Sequence, residues 1–390
     1  MLYTIPDYYK EFQCIADRCP DTCCAGWQIV VDERSMEKYR SICGKMMLQG
    51  VRRKEEGKDF TWKKMLGSID WAKGTFRQDD SKRCAFLDEN NLCELYKNLG
   101  QKSLCKTCKL YPRHIEEFEG LREISLSVSC PEVARILIER KTPVTFLTYE
   151  KEGEETFDDF DPFLFSILED ARTAMLQILQ NREISIRERV LLILGMAHDM
   201  QVRINKQELF DCSDAIAKYQ KDTALEYIRD YLKEADVDLP EKQMVLNQEM
   251  FESLYDLEVL REEWEAVLHE TAESLFFGDV ISYETLCREF QAWGKERDVD
   301  IHIEQLLVYF LFTYFPGAVY DGEVYAKVQM TVYCVWMIEN LWMARWSRNG
   351  KNTDITEMTE LVYRFSREVE HSDENLKYIE KTMEKKYFLR

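Results

Sequence analysis

Residues 161–179 read DPFLFSILEDARTAMLQIL and carry the clearest fold signal in this chain of 390 residues. Asp161 is a residue type that caps helices, and Pro162 suits the first helical turn. Apolar residues then recur at helical spacing from Leu164 to Leu179. This spacing predicts an amphipathic helix that begins at the Asp-Pro pair.

The same helical pattern recurs through the rest of the chain. Ser185 and Glu188 form a capping-box pattern ahead of the apolar run VLLILGMA. Comparable spacings follow in the ranges 206–234, 246–275, 282–315, 323–346 and 354–385. The later part of the chain is therefore predicted to be all-helical.

The chain changes character near residue 140. Residues 1–140 contain 24 Lys and Arg against 22 Asp and Glu, whereas the whole chain has a net charge of −20, so the remainder carries −22. Residues 142–161 form an extended, charged stretch without a helical period. We expect a mostly α protein with a small cysteine-rich, metal-binding domain over residues 1–145, followed by a larger acidic helical domain over residues 146–390 that binds substrate or a partner.

Local patterns also predict structure within the first domain. The ranges 32–42 and 93–110 have helical character. Residues 113–129 alternate in polarity around Glu119-Gly120, which is typical of a β-hairpin.

Charge and hydropathy exclude several classes of protein. The acidic balance disfavours nucleic acid as a partner, because phosphate binding needs concentrated positive charge. No run of about 18 uncharged apolar residues is present, so a membrane span is not expected. The opening MLYTIPDYYKEF lacks a basic start followed by an apolar stretch, which favours the cytoplasm.

Cysteine is concentrated in the first third of the chain, which holds ten of the 13 cysteines. In a reducing compartment such clustering indicates metal ligation or redox chemistry rather than disulfides. CxxxCC and CxxC spacings let one turn supply two thiolate ligands while a distant pair closes the site. The predicted metal ligands are Cys14, Cys19, Cys23, Cys24, Cys84, Cys93, Cys105, Cys108 and Cys130.

The metal and the number of centres stay open at this point. His114 is the one histidine in the region, so an all-thiolate site is favoured, and thiolates suit either zinc or an iron–sulfur cluster. Nine thiols exceed one four-ligand site, so either two centres form or some of these cysteines have other roles. The four remaining cysteines are expected to be packed thiols outside the site: Cys43, Cys212, Cys287 and Cys334.

Five segments carry a resemblance to a known family: YYKEFQCIADRCPDTCCAGWQIVVD (8–32), CAFLDENNLCELYKNLG (84–100), LCKTCKLYPRHIEEFEGLREISLSVSCPE (104–132), DGEVYAKVQ (321–329) and YRFSREVEHSDENL (363–376). The chain resembles the bacterial flagellin lysine-N-methylases, whose amino-terminal part is similar to cysteine-cluster proteins described as zinc- or iron-chelating. The resemblance implies methyl transfer from S-adenosylmethionine to flagellin lysines. It also implies an iron–sulfur cluster, of the [4Fe-4S] type, with zinc as the alternative.

Two familiar ways of binding the methyl donor are not indicated. Gly26 stands where the third cysteine of a CxxxCxxC motif would follow Cys19 and Cys23. No GxGxxG motif marks a Rossmann-like site either. The donor is therefore expected to bind in an unconventional way, if it binds at all.

Candidate site residues outside the cysteines lie in two places. Glu370 and His371 are candidate proton acceptors for a substrate lysine, although the same run suits a solvated helix end with Ser372 capping the next helix. Tyr111 and Arg113 are candidates for hydrogen bonding to the cluster or the donor.

Function therefore has three interpretations. The favoured one is an S-adenosylmethionine-dependent lysine methyltransferase acting on flagellin. A non-catalytic metal-binding assembly module would also account for the cysteines. A redox-sensing protein would use the surplus thiols for disulfide exchange.

Overall fold

The computed structural model of the protein describes residues 1–49, 53–55, 58–153, 155, 157, 159–235 and 240–385. Helices make up 65% of it, which confirms the predicted mostly α class. The chain forms two compact units, each built from more than one segment. The helical unit comprises Met1–Glu11, Ile115–Ser129 and Ala134–Arg390, and the cysteine-rich unit comprises Phe12–His114 and Cys130–Val133. The division of domains at residue 145 stays a prediction.

Seventeen helices are present in the described ranges. They are α1 Glu33–Gln49, α2 Trp62–Gly67, α3 Glu94–Leu99, α4 Lys106–Leu110, α5 Pro131–Glu139, α6 Pro162–Leu179, α7 Ile186–Asn205, α8 Cys212–Tyr219, α9 Asp222–Ala235, α10 Pro240–Glu252, α11 Glu263–Phe276, α12 Val280–Lys295, α13 Val299–Tyr314, α14 Ala318–Asp321, α15 Val324–Arg348, α16 Ile355–Glu370 and α17 Asp373–Lys385. The strands are β1 Leu2–Pro6, β2 Arg53–Glu55, β3 Lys58–Phe60, β4 Ile69–Asp70, β5 Thr75–Phe76, β6 Arg113–Phe118, β7 Leu121–Leu126 and β8 Phe146–Glu150.

The predicted caps start their helices. The Asp161 side chain accepts hydrogen bonds from the backbone N–H groups of Phe163 and Leu164 at the start of α6. Ser185 and Glu188 form the capping box of α7. These contacts satisfy N–H groups that have no partner within the helix, so the start of each helix is encoded locally.

Helix α15 lies at the centre of the helical unit, where it packs against α7, α11, α13 and α17. Both α13 and α15 are buried around most of their circumference. Leu341 and Trp342 of α15 and Phe310 of α13 are almost fully buried. A helix that is apolar on every side has to be surrounded by protein, because any side that faced water would expose apolar side chains.

The helical unit also contains most of a four-stranded sheet with the order β6-β7-β1-β8. The predicted hairpin is confirmed: β6 and β7 are neighbours joined by Glu119-Gly120, and Gly120 has a φ of +69° that favours glycine. Strand β1 joins this hairpin in parallel, with Leu2 opposite Leu121, and β8 pairs antiparallel with β1.

In the cysteine-rich unit the predicted helix over residues 93–110 is wrong in its middle. Helix α3 ends at Gly100, whose φ of +76° leaves the helical region, and α4 begins only after Cys105. The predicted helix over residues 32–42 is present as α1. A hydrophobic cluster that includes Tyr39, Phe86 and Leu95 holds these short elements together.

Helices long and apolar enough to cross a bilayer do not occur in the described ranges.

Candidate functional site

Glu370, the last residue of α16, is the centre of a polar cluster within the helical unit. Its Oε2 accepts hydrogen bonds from the hydroxyl groups of Tyr309 at 2.5 Å, Tyr314 at 2.9 Å and Ser127 at 2.9 Å. Its Oε1 accepts one from Ser366, one helical turn earlier on α16. Hydroxyl donors to both oxygens favour the charged carboxylate.

The two tyrosines are held in their protonated form. Burial is the main cause that raises the pKa of Tyr309 and of Tyr314 well above 10, and the negative charge of Glu370 raises both further. At neutral pH both phenols therefore keep the proton that they donate to the carboxylate.

A chain of hydrogen bonds leads from Glu370 to His371. The hydroxyl oxygens of Ser127 and Ser129 lie 2.6 Å apart, and His371 Nε2 lies 3.0 Å from the Ser129 hydroxyl. Burial, followed by the charges of Arg367 and Arg261, lowers the pKa of His371 to about 3. The imidazole is therefore neutral near pH 7 and can pass a proton on without holding a charge.

Arg367 supports this chain from the preceding helical turn. Its Nε donates to the backbone carbonyl of Ser129 at 2.9 Å, and the side chain is 3% exposed. The contact fixes the segment after β7 that carries both serines.

Two members of this cluster were predicted from the sequence, and the other members were not. Glu370 and His371 lie together with Ser127, Tyr309 and Tyr314, and these three come from segments far away in the chain. Tyrosine in an otherwise apolar helix was the available signal, because a buried phenol usually needs a polar partner.

The alternative interpretation of this segment is half right. Ser372 does cap α17, since its hydroxyl accepts from the backbone N–H of Asn375 at 3.3 Å. The helix end itself is partly exposed, because Glu370 and His371 are half-buried, whereas Glu368 in the preceding turn is 1% exposed.

The cysteine-rich unit brings a second set of candidate groups together. Cys93 and Cys105 directly precede α3 and α4, and Cys108 lies within α4. The backbone N–H of Cys84 donates to the carbonyl of Cys24 at 2.8 Å, which joins the two early cysteine segments.

Hydrogen bonding and neighbouring charges link the pKa values of these thiols. The Cys108 thiol donates a hydrogen bond to Cys105 and lowers the pKa of Cys105. The Cys108 pKa is itself raised by that bond, by burial and by the neighbouring thiols of Cys24 and Cys93. Burial, with nearby thiols adding to it, also raises the pKa of Cys84 to about 12 and that of Cys93 to about 11.

The remaining predicted ligands have varied surroundings. Cys14 is exposed, Cys23 is half-buried and Cys130 is buried. The thiol of Cys19 donates to the backbone carbonyl of Asp21 at 3.0 Å. Across the described part of the chain, no three His, Cys, Asp or Glu side chains already form a metal-ligand set. The nine-cysteine ligand set stays a prediction.

Tyr111 and Arg113 follow α4 directly. The backbone N–H of Tyr111 donates to the carbonyl of Thr107, and its ring lies 6.0 Å from that of Trp27. The Arg113 guanidinium lies over the ring of Phe12 at 5.6 Å. Both residues are thus close in sequence to Cys108, and their predicted binding role stays a prediction.

Together these features define a class: a mostly helical protein with one thiol-rich unit and, in its other unit, a carboxylate enclosed by hydroxyl groups. The family sequence model described as the FliB lysine N-methylase C-terminal domain matches residues 172–389, which are more than half of the chain. The chain belongs to the FliB lysine N-methylase family. The matched range includes Tyr309, Tyr314, Glu370 and His371.

Similar proteins bear related names. The Flagellar biosynthetic protein FliU of Salmonella muenchen is 30% identical over 143 residues, which are 34% of this chain and 76% of that protein. A Lysine-N-methylase of Salmonella typhimurium strain LT2 is also 30% identical over 143 residues, but these are 32% of its length. The match thus spans about a third of the second relative. No solved structure matches the chain.

Proposed function

We propose that this protein is a protein-lysine N-methyltransferase that transfers methyl groups from S-adenosylmethionine to lysines of flagellin. The family match and the names of the two relatives support the reaction class and the substrate. The structural observation that carries the proposal is the enclosed carboxylate of Glu370, connected by hydroxyl groups to a neutral histidine.

The chemistry requires the substrate amine to lose a proton. A free lysine has a pKa of about 10.4, so it arrives as an ammonium ion. The half-buried carboxylate of Glu370 attracts that ion, and proton transfer between the two removes both charges, which a partly desolvated site favours. We propose Glu370 as the proton acceptor.

The hydroxyl groups then allow the proton to move on. When Glu370 is protonated, the Ser127 hydroxyl can rotate to accept from it, and the Ser129 hydroxyl can pass a proton to His371. Because the pKa of His371 is low, its imidazole passes the proton on and does not retain it. Tyr309 and Tyr314 hold the carboxylate in place.

The methyl donor supplies an electrophilic carbon. The amine nitrogen forms the new N–C bond as the S–C bond of S-adenosylmethionine breaks, and S-adenosylhomocysteine leaves with the electron pair of that bond.

We further propose that the cysteine-rich unit holds an iron–sulfur cluster, with zinc as the alternative occupant. The donor set fits such a group in its chemistry, because Cys24, Cys93, Cys105 and Cys108 are soft ligands that influence one another's ionisation. When bound, the group would supply a positive centre that stabilises their thiolates.

The proposed function predicts that the protein methylates flagellin. Anaerobically purified protein, incubated with flagellin and S-adenosylmethionine, should add methyl groups to lysines, as measured by mass spectrometry of proteolytic peptides. Flagellin whose lysines have been acetylated is the matched control and should stay unchanged, because acetylation removes the nucleophilic amine. Unmodified lysines with cluster-replete protein would contradict the proposal and favour a non-catalytic module.

The metal proposal predicts that Cys105→Ser and Cys108→Ser lower the bound iron or zinc by about tenfold or more, since altered metal-site groups commonly cost that much affinity. Metal analysis and the visible absorption spectrum of anaerobic protein measure the loss. Cys43→Ala is the matched control, because Cys43 is a buried thiol of the same unit whose pKa burial raises. Equal metal content in all three variants would contradict the proposed site.

A further inference from the structure

Strand β8 forms one edge of the four-stranded sheet, and its outer side is open in the part of the chain that the structure describes. Strand β8 pairs with β1 across Leu2↔Glu150 to Pro6↔Phe146. Backbone hydrogen bonds from Asp7 to Thr145 and from Lys151 to Met1 flank this ladder.

These flanking bonds determine which backbone groups face outward. Hydrogen-bonded pairs alternate along an antiparallel ladder, so residues 145, 147, 149 and 151 bond to β1. The N–H and C=O groups of Phe146, Thr148 and Glu150 therefore face away from β1. They form a row of donors and acceptors that can pair with another extended segment.

The side chains of the edge are unusually accessible for a sheet. Leu147 is 46% exposed and Tyr149 is 41% exposed. Both are on the same face of the strand, beside Ile5 and Tyr3, and the Tyr149 ring stacks on that of Tyr3 at 5.6 Å. No proline or lysine stands within β8, although proteins often use these residues to protect an edge.

Strand β8 and the segment that follows it in the chain carry an excess of negative charge. Five exposed carboxylates lie on β8 or in the segment after it: Glu150, Glu152, Glu155, Asp159 and Asp161. The nearby Lys151 ammonium lies over the Tyr3 ring at 5.5 Å. An arriving segment therefore meets open hydrogen-bonding groups and apolar side chains, together with the exposed carboxylate of Glu150 on β8 and that of Glu152 just after it.

We propose that the outer edge of β8 binds an extended, lysine-bearing segment of the protein substrate as an added strand. This inference rests on the proposed function, and it specifies how the substrate is recognised. Backbone pairing supplies affinity, and alternate side chains supply selectivity. Apolar residues of the segment lie beside Leu147 and Tyr149, and its lysines lie on the other face, near Glu150.

A second copy of this chain fits the edge less well. Pairing two β8 edges would bring two acidic segments together, and like charges at close range oppose association. A basic segment instead reduces the local charge.

The test uses a short fluorescent peptide that alternates lysine with valine, and two N-methylated forms of it. One form carries methyl groups on the lysine amides and the other on the valine amides, so only one of them blocks the amides that face β8. Fluorescence anisotropy with the full-length protein should show about a tenfold or larger difference in affinity between the two forms, since several hydrogen bonds are lost in only one. Equal affinity for both forms would overturn the proposal.

A variant pair locates the contact on the protein. Thr148→Pro removes an outward N–H without touching the β1 ladder, and it should abolish the difference between the two peptides. Thr148→Val is the control, because it removes only the side-chain hydrogen bond to Thr4, of 3.0 Å, and should bind as the wild type does. A circular dichroism melt checks that both variants fold.

Two further results separate this inference from the proposed function. If Thr148→Pro methylates flagellin as fast as the wild type, the docking site is wrong while the methyltransferase stands. If the peptides bind in the N-methyl-dependent way but flagellin is never methylated, the docking site stands and the enzyme does not. A dimer in sedimentation that Thr148→Pro dissociates would overturn the proposal in favour of a second copy.

Discussion

Replacing Glu370 by glutamine is expected to lower the rate of flagellin methylation by about 10²–10⁴-fold, the usual contribution of a general base. Glutamine keeps the shape of the side chain but cannot take a proton from the substrate amine. The hydroxyls of Ser127, Tyr309 and Tyr314 can rotate to suit an amide, so the fold should persist. Mass spectrometry measures the initial rate of methylation, and a thermal melt measures whether the variant keeps its fold.

The control for this variant is Glu360→Gln on the same helix. Glu360 pairs with Arg364 at 2.7 Å with 30% of its side chain exposed, so its loss should change neither the rate nor, beyond about 1 kcal/mol, the free energy of unfolding. A Glu370→Gln protein as active as Glu360→Gln would show that the carboxylate does not accept the proton.

Replacing Glu304 by alanine is expected to lower the free energy of unfolding by about 3–5 kcal/mol. Glu304 is fully buried on α13 and accepts from Arg182 at 2.8 Å and from Arg189 at 2.9 Å. Arg189 is 4% exposed, so its charge would stay buried without a carboxylate partner. Urea unfolding followed by circular dichroism measures the loss.

Glu289→Ala provides the comparison for an exposed ion pair. Glu289 and Lys351 lie 2.6 Å apart with 41% and 57% of their side chains exposed, so breaking the pair should cost no more than about 1 kcal/mol. Similar losses of unfolding free energy for the two variants would show that the contribution of the Glu304 ion pairs to stability does not depend on their burial.

The helical class, the helix starts and one hairpin could be predicted from the sequence. Asp161 and Ser185 cap their helices as expected, and Gly120 makes the turn between β6 and β7. Each depends on residues within a few positions of one another, so a short stretch of sequence contains the whole physical cause. The end of α3 at Gly100 also has a local cause, but the apolar residues on both sides of this glycine keep helical spacing and therefore favoured one continuous helix.

Contacts between distant segments were decided only by the tertiary structure. The Glu370 cluster joins Ser127 to a helix end 243 residues later, and Tyr309 reaches the same carboxylate from another helix. Strand β1 finds its partners β7 and β8 more than 100 residues away. Composition and periodicity predict which residues are buried and which polar groups need a partner. The identity of that partner depends on how whole helices and strands pack, and no local pattern contains this information.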